Sequence, residues 1–312
     1  MSASQIALGV VIGGIVSSSF GSSLKNVDSS LTKYQDKIKS LNKDKLILKA
    51  QNDPKNAAAI SSINQQLLAL RKSAKIRIAL ESKKEDLIAQ KVDGIFLNPT
   101  DWKAIKPALE MAKKAGIPVY VVDAPVFNDD LVKTTIVSDN WNAGTLCALH
   151  LTQTLGITEG NIVVLEHPTA KSAIERTNSF LKEIAKYPNL KVIAKQSSEG
   201  QLEIAMSIME DIIKMNTNIT AIMAENDPTA LGVVAALERL NKLKSVKAIY
   251  GVDGSSDAYK LIEAGKMTAT AAQYPKEIGK IAAESAYKFI SGEKISKEIK
   301  IPVKLITLED IK

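Results

Sequence analysis

Ala221-Ile222-Met223-Ala224-Glu225-Asn226-Asp227-Pro228 sets an unbroken apolar run against a polar turn. The same arrangement recurs twice downstream. Val246-Lys247-Ala248-Ile249-Tyr250 runs into Gly251-Val252-Asp253-Gly254, and Met267-Thr268-Ala269-Thr270-Ala271 reaches Gln273-Tyr274-Pro275. Each run reads as a strand whose carboxyl end carries polar groups. In open α/β sheets ligands bind at that end of the strands, so the placement predicts a small-molecule cleft.

Working outward, residues 94–97, 119–122, 134–137, 162–165 and 192–194 are further expected strands. Helices are expected at 102–115, 143–155, 172–186, 202–215, 229–240, 256–264 and 276–291. The alternation is a βαβα rhythm that predicts parallel sheets, and strands with little polar alternation predict burial on both faces. Asp227-Pro228 reads as a helix N-cap followed by proline, and Gly116 and Gly265 read as stops after helices.

A chain of 312 residues, 45% hydrophobic and 24% charged, is long enough for two cores. The single Cys147 excludes an intrachain disulfide, and His150 and His167 lack zinc-ligand spacing. No metal or other cofactor is expected. The net charge of +7 sits in residues 1–82, where 12 Lys and Arg face 5 Asp and Glu. The remainder is balanced at 29 against 29, so the basic excess says nothing about the cleft and no nucleic-acid partner is expected for it. Residues 6–16 are apolar but too short to span a bilayer. Met1-Ser2-Ala3-Ser4-Gln5 has no Lys or Arg to serve as the positive region of an export signal. The chain contains neither a Gly-x-Ser-x-Gly elbow nor a Gly-rich phosphate loop, which argues against an enzyme.

From residue 83 onward the motifs Asn98-Pro99-Thr100-Asp101, Ala115-Gly116-Ile117-Pro118-Val119 ending in Asp123, Ser138-Asp139-Asn140, Glu175-Arg176, Glu225-Asn226-Asp227, Val252-Asp253-Gly254 and Ala272-Gln273 occur in order. Together they resemble the ribose-type sugar-binding proteins of ABC transporters, which have the type 1 periplasmic binding protein fold. The resemblance implies an α/β chain of two Rossmann-like lobes with parallel sheets and a hinge. Residues 83–140 with 274–300 would form the first lobe, and 141–273 with 301–312 the second. It further implies that a monosaccharide is held by Asp123, Arg176, Asn226, Asp253 and Gln273 while the lobes close. Their chemistry suits hydroxyl groups: carboxylates accept, the guanidinium donates, and the amides do both. Asn226, Asp253 and Asp123 have rival readings as turn residues, and Arg176 as a solvated helix charge.

Two departures accompany the match. No Asn-Pro-Phe-Phe-like loop follows a first strand, and Gly200 stands where a second stacking aromatic is expected. The arginine that often follows the first-lobe Asp is Ala124. Trp102, Phe127 and Tyr274 are the remaining stacking candidates. The implied partner is an ABC-transporter permease, with the protein acting as a monomer outside the cytoplasmic membrane. Because the start of the chain lacks an export signal's positive region, cytoplasmic retention stays open.

Residues 1–82 read as a mainly helical segment, with Val27, Leu31, Tyr34, Ile38 and Leu41 on one helix face. They resemble the start of phage tail tape-measure proteins, which would make the chain a fusion with an incomplete first lobe and impaired sugar binding. An alternative threads residues 6–12 as a first strand, 22–41 as a helix and 46–48 as a second strand. A sugar-responsive regulator is a further alternative, although no helix-turn-helix pattern precedes the first lobe.

Overall fold

The computed structural model describes residues 8–12, 87–88, 91–99, 101–215 and 218–311. The helical reading of residues 13–82, the tape-measure-like stretch and the second strand of the threaded alternative lie outside the described residues. Leu8–Ile12 forms a strand, β1, within a segment read as mainly helical. Its Val10-Val11-Ile12 run has the β-branched side chains that favour a pleated backbone, and the threaded alternative places its first strand here.

The chain divides into two compact units, Met1–Ile95 with Ala104–Pro118, and Phe96–Lys103 with Val119–Lys312. Strand β2, Gly94–Asn98, starts in the first unit and ends in the second. In the first unit, helix α1 spans Lys106–Lys114 and buries Leu109 and Ala112. The sequence suggested a start at Trp102, but Pro107 lies in the first helical turn, where its missing N–H costs nothing. Gly116 ends the helix at φ +71°, and the Ile117 N–H returns to the Ala112 carbonyl at 2.9 Å.

The second unit contains strands of two sheets. In one, β3 (Val119–Val122), β4 (Thr134–Ser138) and β10 (Glu298–Ile301) run parallel. Helix α7 (Pro275–Ile290) places Ile278 and Ala282 against Ile136 and Ile301. The other sheet has the order β11-β9-β8-β7-β5-β6. Its strands are β5 (Glu159–Glu166), β6 (Asn189–Ser197), β7 (Ala221–Ala224), β8 (Ala248–Asp253), β9 (Ala269–Ala272) and β11 (Lys304–Ile306). All pairs are parallel except the antiparallel β11–β9 edge.

Successive residues of the central strands feed opposite cores. Val163, Leu165, Ile222, Ala224 and Ile249 pack with α4 (Leu202–Met215), α5 (Asp227–Arg239) and α6 (Ser256–Glu263). Ile162, Val164, Ala221, Met223, Tyr250 and Val252 pack with α2 (Asn140–Leu149) and α3 (Lys171–Ile184). Two-sided burial explains why these strands read as continuous apolar runs. Each large side chain so buried contributes about 1.5–3 kcal/mol.

The chain passes from the first of these sheets to the second after Ser138, back after Ala272, and across again between Ile301 and Lys304. Pro302, which has no N–H for a ladder, separates β10 from β11. A closing helix α8, Leu308–Ile311, follows. Within the second sheet β6 lies on one side of β5 and β7 on the other. The carboxyl ends of β5 and β7 therefore flank a topological switch point, where open sheets leave a crevice.

Candidate functional site

A closed circuit of polar groups lies at the carboxyl ends of β4, β8 and β9. The Ser138 hydroxyl donates to Gln273 Oε1 at 2.7 Å, and Gln273 Nε2 donates to Asp253 Oδ1 at 2.7 Å. Asp253 Oδ1 lies 3.7 Å from the Arg176 guanidinium. Arg176 Nε donates to Asn140 Oδ1 at 2.8 Å, and Asn140 Nδ2 returns to the Ser138 carbonyl at 3.0 Å. The residues come from the two crossings, from α3 and from the end of β8. Tertiary structure alone brings them together.

Arg176 is 5% exposed, which removes its reading as a solvated helix charge. Its second charged neighbour is Glu225, whose Oε2 lies 3.7 Å from the guanidinium and whose carbonyl accepts from it at 3.0 Å. These partners offset an unfavourable position for a cation near the positive end of a helix. Gly144 in α2 makes the approach possible, because a Cβ there would lie 1.9 Å from the Arg176 carbonyl.

Burial and the nearby Asp227 raise the Asp253 carboxyl to about 6, opposed by Arg176 and by its hydrogen bonds. Burial raises Glu225 further, to about 7, with Arg176 lowering it and Asp253 raising it. Both are held in the range where a ligand's charge or hydrogen bonds can change their protonation.

Asn226 caps α5: its side-chain oxygen accepts from the Thr229 N–H at 2.9 Å, and its amide nitrogen donates to the Gly200 carbonyl at 3.2 Å. The cap is thus Asn226, not Asp227 as the sequence suggested. Asn226 has the extended backbone, φ −150°, that a cap requires. Asp227 instead turns inward, fully buried, and accepts from the Ser255 N–H and the Thr270 hydroxyl, both at 2.7 Å. Gly251 leaves room for it, since a Cβ there would lie 2.5 Å from Asp227 Oδ1.

Asp123 belongs to a different pair. It adopts φ +68° after β3, and its carboxylate accepts from Asn98 Nδ2 at 3.0 Å. Trp102 and Phe127 form an edge-on aromatic pair with centroids 5.3 Å apart. The Trp102 N–H donates to the Thr169 carbonyl at 3.3 Å, linking the loop after β2 to the loop after β5. Lys103 and Lys171 place their ammonium groups 4.9 and 5.1 Å from the Trp102 ring centre. Phe127 is 59% exposed. Tyr274 precedes α7, is exposed, and makes no ring pair with Trp102 or Phe127 among the described residues.

The structure therefore joins Arg176, Asp253 and Gln273 directly, with Asn226 beside Glu225 in the chain. Asp123 with Asn98 and Trp102 with Phe127 stand as separate pairs. Asn98, Asn140 and Glu225 were visible only as members of motifs; their polar character at strand ends was the available signal. Among the described residues, no group of three or more His, Cys, Asp or Glu is arranged to hold a metal, and no helix is long and apolar enough to cross a membrane.

Comparison with known proteins places this geometry in a family. The periplasmic binding protein domain matches residues 81–294. The ribose import binding protein of Bacillus subtilis (strain 168) is 36% identical over 223 residues, covering 72% of this chain and 71% of that protein. An ABC transporter solute binding protein from Bacillus halodurans C-125, solved with bound myo-inositol, has a similar structure with TM-score 0.73 at 24% identity, covering 99% of this chain and 97% of that one. A periplasmic counterpart from Actinobacillus succinogenes 130z, solved with bound D-allose, gives TM-score 0.70 at 26% identity, covering 98% and 99%. With the family match spanning more than half its length, the chain belongs to the periplasmic binding proteins, in their ribose-type branch.

Proposed function

We propose that the protein binds a monosaccharide at the Arg176 circuit and delivers it to the permease of an ABC importer outside the cytoplasmic membrane. The observation that carries this reading is the buried guanidinium of Arg176, held between Asn140, Glu225 and Asp253 at the carboxyl ends of parallel strands. Sugars need fixed donors and acceptors in one place, and Arg176, Asp253, Gln273 and Asn226 provide both. Asp123, steadied by Asn98, supplies an acceptor from the β3 end, and Trp102, Phe127 and Tyr274 are the apolar faces on which a ring can stack. Relatives that import ribose or were solved with bound D-allose favour a pyranose-sized ligand. Closure of the two sheet-bearing lobes about their three crossings is the conformational step. The protein acts as a monomer, with no catalytic step and no nucleic-acid partner.

The test is thermal unfolding of the full chain against pentoses and hexoses at millimolar concentration, followed by calorimetric titration of any sugar that shifts the midpoint. A ligand present at a hundred times its Kd adds about 2.7 kcal/mol. A rise specific to one or a few sugars is expected. A cooperative transition that no sugar moves would overturn the proposal.

A further inference from the structure

Glu225 has a feature that its neighbours in the circuit lack. It follows β7 and is 2% exposed. Its Oε2 faces Arg176, but among the described residues Oε1 has no hydrogen-bond partner. His167 Nδ1 lies 3.9 Å from Oε1, beyond hydrogen-bond reach, while the other ring nitrogen of His167 is engaged with the Thr169 hydroxyl at 3.0 Å. His167 follows β5, so the two side chains project from the two strands that flank the switch point.

The close approach of Glu225 Oε1 to the Gly200 backbone depends on Gly200 having no side chain. Glu199 and Gly200 both have left-handed backbones, φ +51° and +67°. A Cβ on Gly200 would lie 2.9 Å from Glu225 Oε1, 3.0 Å from Asn226 Nδ2 and 3.4 Å from His167 Nδ1. A side chain there would press on all three polar atoms. Among the described residues Glu225 Oε1 is thus a buried acceptor without a donor, an arrangement that costs stability until one arrives.

We infer that Glu225 Oε1 and His167 Nδ1, packed beside Gly200, form a subsite that takes a hydrogen-bond-donating substituent of the ligand, a hydroxyl or an amino group. The inference rests on the sugar-binding reading and adds a specificity contact to it. Two carboxylates, Glu225 and Asp253, share the single guanidinium of Arg176. When both are ionised, the local excess of negative charge favours an ammonium donor over a hydroxyl, so an amino sugar is expected to bind more tightly than its parent above the pH at which Glu225 loses its proton.

The experiment compares full-length wild type with Glu225→Gln and Glu225→Leu. Each is titrated calorimetrically with ribose, with glucose, galactose and mannose, and with the corresponding 2-amino sugars. Ligand-free unfolding midpoints are recorded in parallel. For the sugar that wild type binds, Glu225→Leu is expected to lose about tenfold or more in affinity, with a ligand-free midpoint equal to or above wild type. A purely structural Glu225 would lower that midpoint instead. Preference for an amino sugar that disappears in Glu225→Gln assigns an ammonium; equal or better binding of the parent, still dependent on Glu225, assigns a hydroxyl. If Glu225→Leu does not fold, Glu225→Gln carries the test through the same pair of readouts. Affinity unchanged within twofold, or an affinity loss accompanied by a lower ligand-free midpoint, overturns the subsite while leaving sugar binding intact. Wild type that binds no sugar overturns both.

Discussion

Asp253 ends β8 and Glu225 follows its parallel neighbour β7, and each carboxylate lies 3.7 Å from the same nitrogen of Arg176. Burial raises both above the ordinary carboxylate range, to about 6 and about 7. What else reaches them differs. Asp253 accepts from the Gln273 amide at 2.7 Å and from the Asp227 N–H at 3.4 Å, whereas among the described residues Glu225 keeps one buried oxygen without a donor. A shared cation therefore does not make two carboxylates equivalent. The supply of local donors divides them into one tied to the frame and one with an open valence.

Removing the shared cation has the largest expected effect. Arg176→Ala leaves two buried carboxylates uncompensated and should cost about 3–5 kcal/mol of stability together with ligand binding. Chemical denaturation measures the first and calorimetric titration the second. A stability loss below about 1 kcal/mol would mean that Arg176 neutralises neither carboxylate. Asp227→Ala comes next, because it strips a charged acceptor from the Ser255 N–H and the Thr270 hydroxyl. About 3 kcal/mol is expected in the same assay, and a near-neutral result would contradict the role given to its inward turn.

A pH series separates the two carboxylates. Glu225 is protonated in the folded protein up to about 7, while the unfolded chain releases that proton near 4.3. Between those values the folded state holds a proton that the unfolded state has lost, so this group's contribution to stability falls as pH rises and levels off above 7. Glu225→Gln should therefore gain on wild type across pH 4.3 to 7. His167, whose pKa is lowered chiefly by burial, slopes the opposite way up to its unfolded value and does so in both proteins. A midpoint difference that does not vary with pH would show that Glu225 is ionised throughout. The smallest effect is expected from Gly200→Ala, where the left-handed backbone costs about 1–2 kcal/mol and the new methyl presses on Glu225 Oε1 and Asn226.

Much of the fold was legible because periodicity and punctuation agree along residues 94–312. The strand-end motifs at Glu225, Asp253 and Gln273 lie where the sequence placed them, and helix α4 matches its expected range. Misplaced boundaries sit where two signals compete. In Asn226-Asp227-Pro228 either acidic or amide side chain can cap, and the extended backbone of Asn226 decides. At Trp102 a helical pattern runs past a start that Pro107 sets.

The site was only partly legible for a different reason. Arg176 with Glu225 and Asp123 with Asn98 are partners 49 and 25 residues apart, and only strand order makes them neighbours. The orphaned oxygen of Glu225 is less visible still. It depends on Gly200 having no side chain, and in the sequence Gly200 registers only as a missing aromatic.

A crystal structure of the full chain with the sugar that raises its unfolding midpoint most tests the binding site directly. Ring hydroxyls within hydrogen-bond distance of Arg176, Asp253 and Gln273 are the expected result. A sugar bound elsewhere, with the circuit from Ser138 to Asn140 untouched, would contradict the assignment of the site.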